Sequence, residues 1–204
     1  MRVNKKKFIY LISPNKIYKK FFKDLQKVLE TGKISFFQLR LKKYSFKNKI
    51  LIGKKIKNIC KKNKVKFLIN DDPILAKRLG ADGCHLGQKD MNIKEARKII
   101  GKKIIGITCH NSITLAKIAI KAKASYLAFG AFYSSKTKKT THVANIKILK
   151  KIKKITKTPI VAIGGINSEN YKNLLLNNAN FLAISGYVWN NKKYKPLEAI
   201  ERLK

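Results

Sequence analysis

The sequence has few acidic residues. Ten Asp and Glu stand against 48 Lys and Arg in 204 residues, which gives a formal net charge of +38. A field of this size attracts polyanions of any kind. The lysines are nevertheless spread along the whole chain, and no nucleic-acid-binding motif accompanies them. We therefore expect small anionic substrates and no specific nucleic-acid partner.

Long apolar runs and regularly spaced cysteines are also missing. No run approaches the roughly 18 residues of a membrane helix, and the apolar residues 8–12 are too few for a signal peptide. Cys60, Cys84 and Cys109 have neither metal-ligand nor redox spacing, so we expect reduced, structural thiols. These absences predict a cytoplasmic protein with no membrane partner. A length of 204 residues with 45% hydrophobic residues predicts one domain covering residues 1–204.

The scarce acids are concentrated in residues 67–91, which hold four of the ten carboxylates. Asp71 and Asp90 each follow a short apolar segment with strand character. With the carboxamide of Asn70 they form a set of oxygen ligands of the kind that Mg²⁺ prefers. Asp and Asn also favour helix caps and turns for local reasons, so this stretch alone leaves both interpretations open.

Strand-like and helix-like segments alternate along the chain. The predicted strands are 8–12, 34–39, 65–69, 83–86, 104–108, 126–129, 159–163 and 181–185. The predicted helices are 17–29, 46–61, a short helix that ends at Gly80, 93–100, 112–121, 145–156, 169–176 and 196–203. Eight units of roughly 25 residues predict an α/β fold, a single-domain (β/α)₈ TIM barrel.

Other polar groups also follow predicted strands. Gln38, Arg40 and Lys42 alternate along an extended segment and can point together toward a phosphate or pyrophosphate. A loop of hydroxyls and ammonium groups spans residues 130–138, and Gly164-Gly165 follows the seventh strand. Each group alone also fits a solvated edge or an ordinary turn. A barrel would bring them all to one rim, which predicts a metal site beside two oxyanion sites and chemistry on one pyrophosphate and one phosphate.

With these motifs the chain resembles the thiamine phosphate synthases over residues 8–189. Four blocks in this order carry the resemblance: Gln38-Leu39-Arg40-Leu41-Lys42; Asn70-Asp71 with Gly83-Cys84-His85-Leu86-Gly87-Gln88-Lys89-Asp90; Ser135-Lys136-Thr137-Lys138; and Ala162-Ile163-Gly164-Gly165-Ile166. The resemblance implies a Mg²⁺-dependent transferase that joins 4-amino-2-methyl-5-(diphosphooxymethyl)pyrimidine to thiazole phosphate, giving thiamine phosphate and pyrophosphate.

The resemblance also implies roles for individual residues. Asp71 and Asp90 match the metal ligands. The pyrimidine diphosphate site is matched by Gln38, Arg40, Lys42, Asn70, Thr108 and Lys138. The thiazole phosphate site is matched by Ser135, Lys136, Thr137, Gly165, Ser185 and Gly186. In the family's dissociative mechanism, the departing pyrophosphate would be stabilised by Arg40, Lys42 and Lys138.

The chain departs from the family pattern at four places. Thr108 stands where Ser is usual and Ser135 where Thr is usual, and both keep a hydroxyl. Ser185-Gly186 replaces an aliphatic-Ser pair, which can move a contact to the thiazole phosphate onto Ser185. Asp72 follows Asn70-Asp71 where a basic or apolar residue is commoner. These departures affect fine specificity rather than the type of reaction.

Two other functions remain as alternatives. A related thiazole tautomerase is a metal-free isomerase that uses a histidine after the fifth strand, about where His110 stands. A nonenzymatic binder of phosphorylated ligands or nucleic acid would show strong salt dependence without turnover. A Cys109–His110 dyad is excluded because neighbours in a strand face opposite ways. His85 and His142 are expected to be structural, and the oligomeric state is left open, a homo-oligomer included.

Overall fold

Eight parallel strands close into a barrel in the computed structural model, which describes residues 7–134 and 142–204. Each strand pairs with the next along the chain, and the last pairs with the first. The strands are β1 (Ile9–Ile12), β2 (Ile34–Leu39), β3 (Lys66–Asn70), β4 (Gly83–Leu86), β5 (Ile104–His110), β6 (Tyr126–Gly130), β7 (Ile160–Ile163) and β8 (Phe181–Ile184). The predicted α/β barrel is confirmed.

Helices alternate with the strands and surround them. They are α1 (Phe21–Glu30), α2 (Phe46–Lys62), α3 (Pro73–Leu79), α4 (Ile93–Ile100), α5 (Ile113–Lys121), α6 (Lys147–Ile155), α7 (Tyr171–Leu176), α8 (Gly186–Trp189) and α9 (Pro196–Glu201). Helix α3 shows why they form here: Asp72 caps its first turn by accepting from Leu75 N, and left-handed Gly80 ends it. Across the described part of the chain, no helix has the length and apolar character needed to span a membrane.

Several helices differ from their predicted bounds by one or two residues, and two differ more. The first begins at Phe21 rather than at residue 17, because the Ile17 N–H donates to the Tyr44 hydroxyl (3.0 Å) and holds this segment against the loop after β2. Helix α8 was not predicted, since four residues are too few to show helical periodicity. It is fixed by a tertiary contact, the hydrogen bond from Trp189 Nε1 to the Ile12 carbonyl (2.7 Å).

The buried side chains form two layers. The larger layer lies between strands and helices and is almost entirely aliphatic and aromatic. The smaller layer fills the barrel, because alternate residues of each strand face inward. Its buried members are Tyr10, Ile12, Leu68, Tyr126, Ala128, Val161 and Ala183. Gln38, only 3% exposed, joins them through the Tyr10 hydroxyl, so the barrel interior carries polar groups.

The three cysteines are buried and free, as predicted. Burial raises the pKa of Cys84 and of Cys109 to about 12, and it raises the pKa of Cys60 further. All three therefore remain protonated thiols near neutral pH, with little nucleophilic character.

Candidate active site

An ion pair joins the carboxyl ends of β2 and β3. Lys42 Nζ lies 3.0 Å from Asp71 Oδ2, with side-chain exposures of 56% and 28%. Asp71 adopts a left-handed backbone conformation (φ 64°), and its N–H donates to the His85 carbonyl at 2.8 Å. Asp71, the residue that follows β3, is thus tied to β4 and held beside the lysine that follows β2.

A second carboxylate, Asp90, stands next to this pair. Its Oδ2 accepts from the Gly87 N–H at 2.7 Å. Burial raises the pKa of Asp90 and the adjacent Asp71 raises it further, whereas the Gly87 N–H and Lys42 act in the opposite direction. Two interacting carboxylates beside one partly exposed lysine favour the approach of a further cation.

The donor set fits a magnesium ion. Carboxylate oxygens are its preferred protein ligands, and it usually takes its other ligands from water and a substrate phosphate. In residues 7–134 and 142–204 no cluster of three or more His, Cys, Asp or Glu is assembled as a complete metal cage. An ion held by Asp71 and Asp90 would take its remaining ligands from water and a substrate phosphate.

The polar side chains of the β2 end diverge instead of pointing together. Buried Gln38 donates through Nε2 to Asn70 Oδ1 at 2.5 Å, and Lys42 also reaches the end of β3. Arg40, however, donates through Nη1 to Asn15 Oδ1 at 2.7 Å, in the loop after β1. The predicted convergence is wrong for Arg40, because β2 ends one residue before it and strict alternation ends there.

Thr108 lies near the carboxyl end of β5. Its Oγ1 is 2.9 Å from His85 Nε2, and its carbonyl accepts from Gln88 Nε2. His110 ends the same strand, and its ring centroid lies 4.1 Å from that of His142. Cys109 is instead fully buried in the outer layer, which agrees with the exclusion of a Cys–His dyad.

Glycines shape the end of β7. Gly165 has φ 59°, and a Cβ added there would collide with the Ser134 carbonyl and with Tyr133. The Tyr133 N–H donates to the Gly164 carbonyl at 3.1 Å, so residues 131–134 run directly across this glycine turn. Four residues predicted to bind phosphate follow at once but lie outside the described residues: Ser135, Lys136, Thr137 and Lys138.

Ser185 and Gly186 follow β8, next to the end of β1. The half-buried Ser185 hydroxyl donates to the Ser13 carbonyl at 3.2 Å, and Gly186 begins α8. Every predicted site residue in the described ranges therefore lies near the carboxyl end of its strand or in the loop beyond it. That is the rim where barrel enzymes build their sites.

Three interior side chains contact the site although the sequence analysis did not connect them with it. Tyr10 and Tyr126 share a hydrogen bond between their hydroxyls at 2.8 Å, and Tyr126 also meets His85 Nδ1 at 2.9 Å. His85, expected to be structural, is thus hydrogen-bonded at both ring nitrogens. A tyrosine or histidine that points into the barrel from a strand is the sequence signal for such a network. Which strand residues point inward is known only after the strands have been aligned with one another.

The fold and this rim define a class: a (β/α)₈ barrel enzyme built for phosphorylated substrates. Residues 9–188 match the thiamine monophosphate synthase family model. The thiamine-phosphate synthase of Pelagibacter ubique (strain HTCC1062) is 69% identical over 100% of both chains. That of Erythrobacter litoralis (strain HTCC2594) is 39% identical over 94% of this chain and 92% of its own. The chain therefore belongs to the thiamine-phosphate synthase family and is a transferase.

A solved structure shows the same similarity. The thiamine phosphate pyrophosphorylase of Pyrococcus furiosus superposes with a TM-score of 0.86 at 29% identity, covering 97% of this chain and 94% of that one. The two relatives named above are matched over most of their length and are thiamine-phosphate synthases. This argues against the isomerase alternative based on His110.

Proposed function

We propose that this transferase joins 4-amino-2-methyl-5-(diphosphooxymethyl)pyrimidine to thiazole phosphate and releases pyrophosphate, in a reaction that requires Mg²⁺. The observation that carries the proposal is the cluster of Lys42, Asp71 and Asp90, which places a cation and two interacting carboxylates at one point of the rim. We place the reaction in the cytoplasm, because three free thiols in the described chain suit a reducing compartment.

The energetic difficulty of this reaction is the negative charge that gathers on the departing pyrophosphate. Lys42 and Arg40 follow β2 and would bind this group, Arg40 from a position supported by Asn15. Mg²⁺, held by Asp71 and Asp90, would supply further stabilisation of that charge when bound. Lys138 is proposed for the same task on the strength of the family resemblance.

The reaction does not need a protein nucleophile. The three thiols are buried and protonated, and Cys109 faces the outer layer. Departure of pyrophosphate leaves a resonance-stabilised pyrimidinylmethyl cation, which the thiazole nitrogen captures directly. The protein's task is therefore to exclude water and hold the two reactants close together.

The thiazole phosphate is proposed to bind on the opposite part of the rim. Gly165 belongs to the turn after β7 on which Tyr133 and Ser134 pack, and Ser185 brings a hydroxyl from the residue that follows β8. Ser135, Lys136 and Thr137 follow the segment that crosses Gly164-Gly165 and are proposed to complete the site with Gly186. The thiazole phosphate on this side and the pyrimidine diphosphate near the ends of β2 to β4 would lie on opposite sides of the barrel mouth.

The test is pyrophosphate release with both substrates, with and without Mg²⁺, and identification of the product by mass. We expect stoichiometric thiamine phosphate only when both substrates and the ion are present. Omitting either substrate is the matched control, since it separates synthesis from hydrolysis of the diphosphate. A folded sample that forms no thiamine phosphate would overturn the proposal and direct attention to an isomerase assay.

A further inference from the structure

A cavity beyond the carboxyl ends of β2 and β3 extends from the proposed metal site to helix α2. Its volume is about 500 Å³. The polar side chains that line it are Lys42, Lys49, Asn70, Asp71, Asp72 and Asp90, and its other lining residues are apolar. Lys49 alone among these six comes from a helix, since it belongs to α2. A second lysine therefore borders the place where the diphosphate is proposed to bind.

Helix stability does not explain a lysine at position 49. The Lys49 N–H donates to the Ser45 carbonyl at 2.9 Å, which places Lys49 in the first turn of α2. The N-terminus of a helix carries a partial positive charge, so a cation in this turn weakens the helix. The turn contains no acidic residue that would offset the charge. The half-buried Lys49 thus carries a local energetic cost that a bound anion would remove.

The ammonium group of Lys49 also differs from that of Lys42 in its partners. Lys42 Nζ lies 3.0 Å from Asp71 Oδ2, whereas Lys49 forms no ion pair with any carboxylate in residues 7–134 and 142–204. A lysine is a point charge with three donors, and it binds phosphate oxygens well when no carboxylate occupies it. Lys49 is consequently able to bind an anion in the cavity without first breaking an ion pair.

Asp72 gives the cavity a need for this second lysine. Its Oδ1 caps α3 by accepting from the Leu75 N–H at 2.8 Å, a task that an uncharged Asn performs equally well. The negative charge of Asp72 is therefore not required by the cap. Asp72 adds a third carboxylate beside Asp71 and Asp90, and its charge repels a diphosphate. Lys49 supplies a positive charge in the same cavity that offsets it.

We propose that Lys49 is a further substrate-binding residue, which binds the terminal phosphate of the pyrimidine diphosphate and offsets the charge of Asp72. This inference rests on the function proposed above. The reacting carbon must face the thiazole at the barrel mouth, so the terminal phosphate extends outward, toward the surrounding helices. Lys49 on α2 lines that outer side of the cavity. The same contact would hold pyrophosphate after the bond to carbon has broken.

The experiment titrates the full-length protein with inorganic pyrophosphate by calorimetry at saturating Mg²⁺. A salt concentration of about 0.15 M screens charges that lie far from the ligand. Lys49→Gln should raise the dissociation constant about tenfold, the effect of losing one charge-assisted contact. Lys49→Arg keeps the charge and should stay within about twofold of wild type. An unchanged dissociation constant in Lys49→Gln would overturn the proposal.

Lys47→Gln is the matched control. Lys47 lies in the same first turn of α2, but it is exposed and lines a neighbouring groove with Phe46 and Ile50 instead of the cavity. The control removes the same charge from the same end of the helix, so both variants change the net charge and the helix stability alike. Its dissociation constant should stay within about twofold of wild type. Equal weakening in both variants would mean a general field effect and would overturn the proposal.

A second pair of variants tests the offset between Lys49 and Asp72. Asp72→Asn keeps the cap of α3 and should bind pyrophosphate about threefold more tightly than wild type, because one repelling charge is removed. The double variant Lys49→Gln/Asp72→Asn should bind more tightly than Lys49→Gln alone. A double variant as weak as Lys49→Gln would show that Asp72 does not act on the bound anion and would overturn the offset.

Failure of this inference can be told apart from failure of the proposed function. A wild type that forms thiamine phosphate while Lys49→Gln binds pyrophosphate normally would overturn the role of Lys49 alone. A wild type that binds pyrophosphate through Lys49 yet forms no thiamine phosphate would contradict the proposed function while supporting Lys49 as a diphosphate-binding residue.

Discussion

Strand β3 carries a lysine–aspartate ion pair near each of its ends, and only one of them belongs to the proposed site. At the carboxyl end Lys42 Nζ meets Asp71 at 3.0 Å, and at the amino end Lys66 Nζ meets Asp82 at 3.1 Å. The side-chain exposures are similar, 56% and 28% against 59% and 36%. Neither the residue types nor the distances distinguish the two pairs.

The residues around the two ion pairs do distinguish them. Asp82 uses both oxygens locally, one for Lys66 and one for the Phe67 N–H at 2.9 Å. Asp71 instead faces a second carboxylate, Asp90, whose pKa is raised by burial and raised further by the neighbouring Asp71. Partly exposed ion pairs contribute little to stability by themselves. A charged pair therefore indicates a functional site when its surroundings leave part of its charge unbalanced. Matched substitutions at the two ends of the barrel test this difference.

The largest expected effect separates Asp71→Asn from Asp82→Asn. Removing the charge of Asp71 should lower kcat by about a hundredfold or more, because it removes stabilisation of the departing charge. Asp82→Asn keeps an acceptor for the Phe67 N–H, so turnover should stay near the wild-type value. The measurement is initial-rate pyrophosphate release at saturating Mg²⁺. Equal losses in both variants would mean that the two rims do not differ in function.

The lysines of the two pairs should separate in the same way. Lys42→Met should reduce kcat about tenfold, since one cation near the departing pyrophosphate is lost. Lys66→Met should leave kcat unchanged and lower the free energy of unfolding by about 1 kcal/mol or less. Steady-state kinetics and urea unfolding on both proteins check this. If Lys42→Met turned over normally, Arg40 and the metal would have to provide all of the stabilisation.

Two serines extend the comparison to the thiazole phosphate side. Ser185→Ala, at the carboxyl rim, should raise KM for thiazole phosphate about threefold through the loss of one neutral hydrogen bond. Ser125 lies at the amino end of β6 and accepts from the Ile105 N–H at 3.0 Å. Ser125→Ala should leave KM unchanged and reduce stability by about 1–2 kcal/mol, because that N–H loses its partner. A raised KM in Ser125→Ala with an unchanged KM in Ser185→Ala would mean that the thiazole phosphate does not bind beside Ser185.

The smallest expected effect concerns stability without metal. Because the pKa of Asp90 is raised in the folded state, its contribution to stability is lost as pH rises from about 4 through that raised pKa. Asp90→Asn has no charge to repel Asp71. It should therefore unfold at a slightly higher temperature than wild type at pH 7 in a chelator, with no such advantage at low pH.

Adding Mg²⁺ provides the complementary result for Asp90. A bound ion stabilises only the folded state that binds it, so the melting temperature of wild type should rise while that of Asp90→Asn should not. Asp82→Asn is the control and should respond to the ion as wild type does. An equal rise in wild type and Asp90→Asn would remove Asp90 from the metal site.

Local signals predicted much of the fold. The strands Ile34–Leu39 and Gly83–Leu86 and the helix Ile93–Ile100 have the predicted bounds, since apolar periodicity, caps and turn residues agree there. The start of α1 and the existence of α8 were not predictable, because each depends on a hydrogen bond from a distant part of the chain. Local sequence does not contain those partners.

The candidate site divides in the same way. The sequence by itself determined the inventory of the rim, because polar groups that follow strands must meet at one end of a parallel barrel. Only the tertiary structure decided their directions: Arg40 turns to Asn15, Lys42 turns to Asp71, and His85 joins Tyr126 inside the barrel. The physical reason is that strand order fixes which residues share a rim, whereas side-chain direction depends on the partners that packing brings within hydrogen-bond distance.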